Sequence, residues 1–532
     1  MTIELGSDLT RGLIGHWSLM GDCTDVSGRG HHGIDRGAEL TPSDGAVFNG
    51  RVGHIEIQDT PELHLGKGDF SIAARIHTAA ELDDVLGDIA GKFDTQRRKG
   101  FNFYLQNFHG VASGQPNYRN LFFGIDDGVL GSWSDCGRAG IAWMVWALCV
   151  YRGKLYAATF EPGRDEAGHV YRYDGGTVWT DCGYPYLSNA VTSLAVFDGQ
   201  LYAAISCYRS GGSALPDSQN KLPGGKVFRY EGGTRWADCG QVGDIEAIGG
   251  LAVFKGQLYA SSMYAPAGMF RYEGGQEWSP CGHPGGRVEA LGVYNGALYG
   301  SGWDLDYSGV FRYDGGTAWT ACGTPTETTQ TYSFAVYGGA LYAGTWPAGK
   351  VARYAGGETW EDCGQLDAEQ EVMGMTVYNG KLYAGTLPLA EVYRYDGDGT
   401  WASTGRLDET PDVKYRRAWS MGVYQGKLFC GTLPSGHVYA LEAGKCVTHD
   451  DALEPGWRHV AAIRRGGSLE LFVDGQSVAV SEPFDAGRFD VSNEEPLTIG
   501  RGAHDVFCGS IKDVRLYNRA LTRDEAAALA KV

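Results

Sequence analysis

One thirteen-residue phrase recurs through the middle of this chain and limits what the chain can become. It reads YRYDGGTVWTDCG at 171–183, FRYEGGTRWADCG at 228–240, FRYEGGQEWSPCG at 270–282, FRYDGGTAWTACG at 311–323 and ARYAGGETWEDCG at 352–364. Its tryptophan returns as Trp133, Trp179, Trp236, Trp278, Trp319, Trp360 and Trp401, and the last four intervals are 41 or 42 residues. Between the tryptophans runs a second marker, from YRGKLYAA (151–158) to YQGKLFCG (424–431), in seven copies. A repeat of this length is one supersecondary unit that cannot bury both its faces alone.

The unit 286–319 shows what is repeated. VEALGVY (288–294) alternates as a strand, and Asn295-Gly296 is a two-residue hairpin turn that needs positive φ at both positions. ALYGS, GVFRY and TAWTAC supply three more short strands rich in Val, Tyr, Phe and Trp. Four antiparallel strands per unit, packed radially, make a β-propeller. The alternative is an open solenoid, which needs capping repeats at its ends. Closure is expected instead. VLGSWSDCG (129–137) supplies an outer strand before any complete repeat, and the last repeat lacks its Trp-x-x-Cys-Gly ending. Residues 129–135 therefore complete the blade begun at 419–441, which ties the ring shut and covers an edge. The expected fold is all-β with a seven-bladed propeller at 129–449.

Composition sets the class. The 532 residues are 43% hydrophobic and 20% charged, as in a globular protein. The 81 glycines follow no collagen period and fit many tight turns. A net charge of −19, with no Lys/Arg stripe, argues against nucleic acid and anionic membranes as partners. MTIELGSDLTRGLIGHW has no basic start or apolar run, so no secretory leader is expected, and no stretch is apolar enough to span a bilayer. Of the twelve cysteines, Cys136, Cys182, Cys239, Cys281, Cys322 and Cys363 close successive phrases, too far apart for disulfides. Free buried thiols in a reducing, cytoplasmic compartment are the expectation. No zinc spacing occurs, and no organic cofactor is expected.

Two resemblances add to this. The Asp-x-Gly-x-x-Trp of 174–179 resembles the Asp-box of sialidase-type propellers. Arg172 stands where that box has Ser or Thr, and the Asp becomes Glu231, Glu273 or Ala355 in other copies. In those families the box is structural, so the resemblance implies fold and not activity. The chain ends resemble the laminin G-like, concanavalin A-like jelly roll. The carriers are GLIGHWSL (12–19), AVFNGRVGHIEI (46–57), GWRHVAAIRRGGSLELFVDGQSV (456–478) and GSIKDVRLYNRALTRDEAAALA (509–530). This implies a sandwich built from 1–128 and 450–532, with the propeller inserted in one of its loops. It also implies an association with carbohydrate, in a family that is mostly extracellular or periplasmic.

The candidate site is the propeller's upper face, where loops differ between repeats while the frame is constant. Second-to-third-strand loops bring Tyr208, Arg209, Tyr264, Trp303, Asp304 and Trp346. The others bring His283, Arg287, Tyr332, Glu371, Lys414, Arg416 and Arg417. Aromatic faces stack on sugars, and guanidinium groups recognise carboxylates, so an oligo- or polysaccharide containing a uronate is the expected partner. Architecture alone resembles propeller-type polysaccharide lyases and glycosidases. In that reading His283 or Tyr332 is the base and Arg287, Arg416 or Arg417 stabilises the enolate, with the remaining residues binding substrate. A non-catalytic lectin-like protein and a protein–protein scaffold are the alternatives. The jelly-roll resemblance implies calcium at Asp22, Asp25 and Asp513, against an Asx-turn at Asp25 that holds no metal.

Overall fold

The computed structural model describes residues 8–303 and 307–531. Both chain ends fold together into a two-layer sandwich. One sheet runs in the order Glu39–Thr41, Gly45–Asn49, Cys508–Tyr517, Phe70–Thr78, Gly456–Arg465, Ser468–Val473, Gln476–Val480, and Leu13–Trp17 also pairs with Cys508–Tyr517. The other runs Gly33–Asp35, Ile55–Ile57, Leu497–Ile499, Leu86–Asp94, Lys99–Gln106, Asn120–Asp127, Lys445–His449. Alternating apolar side chains from both layers, among them Trp17, Phe70, Phe103, Ile463's neighbour Ala462 and Leu516, form one core between them. Lys445–His449 lies in the stretch that the repeats assign to the propeller. Hydrogen bonding places it in the sandwich, where it pairs with Asn120–Asp127 from Lys445↔Ile125 to His449↔Leu121. The propeller thus replaces the turn of a hairpin.

The expectation of a seven-bladed propeller is corrected. Five four-stranded blades stand alone: four within 248–280, 288–321, 328–365 and 371–406, and one that closes the ring. Residues 144–241 instead form one continuous eight-stranded sheet, because Phe160 pairs with Ala190 and joins the first two repeat units across their boundary. The inner strands still pack in a cycle, and Arg417–Tyr424 meets Met144–Tyr151 to complete it. In the closing blade Trp133–Arg138 is the outer strand and pairs with His437–Leu441. The two ends of the inserted chain are thereby held in one sheet.

The recurring phrase is an inter-unit fastener. Trp179 Nε1 donates to the Cys136 carbonyl at 2.9 Å, Trp236 to Cys182 at 2.9 Å, Trp278 to Cys239 at 2.8 Å and Trp319 to Cys281 at 3.1 Å. Trp360 and Trp401 repeat the bond to Cys322 and Cys363, both at 2.8 Å. At the closing seam Thr404 stands where the cysteine would be, and Trp133 Nε1 donates to its hydroxyl at 3.2 Å. Each tryptophan therefore joins its own unit to the one before it, and the indole N–H is satisfied as it is buried.

All twelve cysteines are free, and all but Cys508 are buried. Burial pushes the thiols up, so thiolate is scarce at neutral pH. With a thiol reagent at pH 8 the native chain should label slowly, at Cys508 first because it is the least buried although burial pushes its thiol up to about 12, and fully only on unfolding. Mass-spectrometric detection of fast native labelling at Cys182 or Cys363 would mean that the seams open, contrary to this packing.

Candidate functional site

The sandwich covers the lower face of the ring. Hairpin turns that repeat almost verbatim donate backbone N–H groups to it: Gly153 to the Asp450 carbonyl, Lys255 to Leu82, Gly296 to Asp83 and Gly338 to Ala503, at 2.8–3.0 Å. The loop between Lys99–Gln106 and Asn120–Asp127 goes further and enters the ring itself. The Gly110 carbonyl accepts from Phe334 N at 2.8 Å, Gln115 N donates to Leu194 O at 3.0 Å, and Pro116 O accepts from Val150 N at 2.8 Å. Asn117 pairs with the Val423 backbone twice, Nδ2 to O at 2.8 Å and Oδ1 from N at 3.0 Å. Residues 107–117 are buried throughout. This loop is a plug anchored to several inner strands, and its Ala112 forms part of the floor beneath the upper face.

Above the plug, every inner strand breaks register at the same depth. The bulges fall at Trp146, Thr192, Gly249, Glu289, Tyr332, Met373 and Trp419, equivalent places in the repeat. A bulge re-aims a side chain out of the pleat. Trp146, Tyr332, Met373 and Trp419 meet Ala112 in one apolar cluster. The rings of Trp146 and Trp419 cross edge-on at 4.7 Å, and Trp146 and Tyr208 at 4.9 Å. The inserted segment 207–225 contributes Tyr208 and Leu215 to the same cluster.

Ionic groups lie among these rings. Arg417, 4% exposed, reaches Glu371 with Nε at 3.4 Å and stands over Trp419 and Tyr415 at 5.6 and 5.4 Å. Burial pushes the Glu371 carboxyl up, and the Arg417 charge opposes this. Glu289 is 3% exposed, and burial pushes it to about 8 against the pull of Arg287. It is therefore largely neutral at pH 7. Arg287 lies over Trp303 at 4.6 Å and donates to the Met263 and Trp303 carbonyls at 3.0 and 3.3 Å. Around the mouth, Trp143, Trp303, Trp346 and Tyr415 are half-buried, and Lys414 is exposed with its ammonium 4.6 Å from the Tyr415 ring.

The sequence-derived residues divide accordingly. Arg287, Trp303, Tyr332, Glu371, Arg417 and Tyr208 come together at the shaft and its rim. Tyr264 is buried beside them; Arg209 covers it at 4.4 Å and pairs with Glu246. Trp346 packs edge-on against Tyr415 at 6.4 Å. Arg416 is tied to its own loop by Nε to the Thr410 carbonyl at 2.7 Å. His283 is exposed, and its Nδ1 accepts from Gly285 N at 3.1 Å, again within one loop. Asp304 lies outside the described residues. Tyr332 donates to Gln330 Oε1 at 2.6 Å, and burial with Glu371 and Glu289 raises its hydroxyl well above the usual tyrosine value. A neutral, hydrogen-bonded tyrosine is a poor base at neutral pH. Repeat comparison missed Trp146, Glu289 and Trp419 as a set. Their shared signal is one position, just inside each inner strand, where the units stop agreeing.

The calcium residues do not gather. Asp25 spends its carboxylate on backbone N–H groups of His16, Ser27 and His31, each at 2.9 Å. Asp513 takes His16 Nε2 and Arg515 Nε at 2.8 Å, and Asp22 caps Thr24 N at 2.8 Å. With Arg515 against one carboxylate and the Asx-turn filling another, this donor set does not fit calcium. Among the described residues no group of three His, Cys, Asp or Glu side chains could hold a metal ion. An open cleft of about 650 Å³ lies elsewhere, between the ring seam and the sandwich. It is lined by Leu130, Lys427, Glu482 and Arg488 and includes none of the shaft residues.

Comparison with known proteins adds fold information. A family model described as the Concanavalin A-like lectin/glucanases superfamily matches residues 398–527, less than half of the chain. The match begins inside the blade 371–406 and runs on through the last sandwich strands. No curated protein matches the chain. A solved streptogramin B lyase is 10% identical, with a TM-score of 0.46, covering 59% of this chain and 98% of that one. A catalytically inactive virginiamycin B lyase from Staphylococcus aureus with quinupristin is 9% identical, with a TM-score of 0.43, over 59% and 99%. YCF48 bound to D1 peptide is 14% identical, with a TM-score of 0.40, over 59% and 100%. Relatives so unlike one another in what they bind assign no function to this chain. No helix among the described residues is long and apolar enough to cross a membrane.

Proposed function

We propose that the chain is a non-catalytic recognition protein that binds a saccharide, preferentially an anionic one, on the upper face of its propeller. The observation behind this reading is the closure of the other end. The sandwich takes the lower turns and the 107–117 loop fills the bore, so the upper mouth is the propeller end left to a ligand. That mouth has half-buried indole and phenol rings beside Lys414 and Arg287. Aromatic faces with cations at their margin suit sugar C–H faces and an acidic substituent. Against catalysis stands the lack of an assembled base: Tyr332 is neutral and engaged by Gln330, and His283 is bonded within its own exposed loop.

Calorimetry with acidic and neutral oligosaccharides tests this. Replacing Trp303 or Trp346 with Ala should weaken binding about three- to tenfold each, the scale of one stacking contact. An array showing no saccharide binding would remove the reading. Conversion of a bound oligosaccharide to shorter or unsaturated products would remove its non-catalytic half.

A further inference from the structure

The shaft below the rim has more buried donors than the protein itself satisfies. Arg417 Nη1, Trp146 Nε1 and Trp419 Nε1 are all buried, and none has a hydrogen-bond partner. Their side chains are 1–4% exposed and packed together: Trp146 on Trp419, and Arg417 over Trp419. Buried indole and guanidinium N–H groups normally find acceptors, and three bare ones in one cluster call for an explanation. Glu371 does not answer it, since it takes only Arg417 Nε. Glu289 Oε2 and the Thr331 hydroxyl are also bare and buried. A protonated Glu289 adds one more donor.

We infer that this shaft is a receptor for a single carboxylate of the ligand, with Arg417, Trp146 and Trp419 as its donors and the plug tip at Ala112 as its floor. The inference rests on the saccharide reading above and names the group that enters deepest. The chemistry selects an acceptor-only group. A carboxylate brings two oxygens and no protons, whereas a sugar hydroxyl or a water brings protons to a place already rich in them. The guanidinium, with Glu371 on its Nε, still offers a charged Nη1 donor, and charge-assisted bonds are the stronger class. The apolar walls (Met373, Met144, Leu433) exclude water, which strengthens each bond. Leu215 and Tyr208 of the segment 207–225 reach into the same cluster. The Tyr208 hydroxyl is meanwhile held by Ser213.

Indole N–H resonances of the full chain read this directly. Glucuronate and galacturonate should shift two of them downfield, identified by Trp146→Phe and Trp419→Phe. Glucose and galactose should leave them in place. Trp419→Phe keeps an aromatic ring, though a smaller one, and removes the donor, and should weaken the acids about five- to tenfold. Arg417→Met is made together with Glu371→Gln so that no buried charge is orphaned. It should weaken the acids about thirtyfold or more and abolish the preference for acid over neutral sugar. If saccharides bind but acidic and neutral ones do so equally, with both indole signals unmoved, the carboxylate receptor is wrong and rim binding stands. If no saccharide binds, the saccharide reading falls and this inference falls with it.

Discussion

Asn117→Ala should cost about 3–5 kcal/mol of stability, although the residue lies in a loop. In most loops a polar-to-alanine change is nearly silent. Here the side chain is fully buried and acts as a backbone surrogate, giving Val423 both of the bonds a neighbouring strand would give. Alanine leaves an inner-strand N–H and C=O bare inside the bore, each costing about 1–3 kcal/mol, and opens a cavity in place of the amide. Urea unfolding followed by tryptophan fluorescence measures the difference. A variant as stable as its parent would show that the plug merely occupies the bore without bracing it.

Asp88→Asn should stabilise the protein at pH 8 and do little at pH 4.5. Asp88 is fully buried beneath the turn that meets Gly338; its Oδ2 accepts from His504 N at 3.0 Å and Asp505 N at 2.8 Å, and Oδ1 has no partner. Burial pushes its carboxyl up to about 7, against about 3.9 in an unfolded chain. The folded state therefore holds the proton more tightly. That stability is fully present below pH 4 and is lost as pH rises through 7. Three pKa units correspond to about 4 kcal/mol, and asparagine keeps the acceptor while removing the titration, so a gain of about 3 kcal/mol at pH 8 is expected. Asp84 and Asp505, also buried and raised, share the neighbourhood with Asp83, Arg51 and Arg501 and add to the parent's slope. Denaturant curves at both pH values decide it. Identical pH slopes in the two proteins would place the sensitivity elsewhere.

The architecture was legible where residues repeat. Spacing between tryptophans marked the units, and the early Trp133 with the truncated last repeat marked the closing strand. The fused sheet at 144–241 was not legible, because it rests on one backbone pairing between Phe160 and Ala190 that no side-chain pattern encodes. In the site, Arg287, Tyr332, Glu371 and Arg417 stood out because they fall where the units diverge. Trp146, Glu289 and Trp419 did not, because a bulge shifts strand parity and sends inward a residue that strict alternation hides. NFHGVASGQPNYR (107–119) was the hardest to read: glycine, proline and polar side chains describe a surface turn, and only the ring around it makes it a core.

The position of Cys508–Tyr517 has a consequence for synthesis. It lies between Gly45–Asn49 and Phe70–Thr78, and Gly456–Arg465 flanks Phe70–Thr78 on the other side. A nascent chain thus presents Phe70–Thr78 with both edges unpaired while several hundred further residues are translated. The ring can close before that, since its outermost strand precedes its first unit. The sandwich that supports it is completed later, when Cys508–Tyr517 pairs with Phe70–Thr78. From the emergence of His437–Leu441 until Cys508–Tyr517 follows, the molecule is a closed ring joined to an apolar half-sheet, a state open to edge-to-edge association and dependent on shielding until that strand arrives.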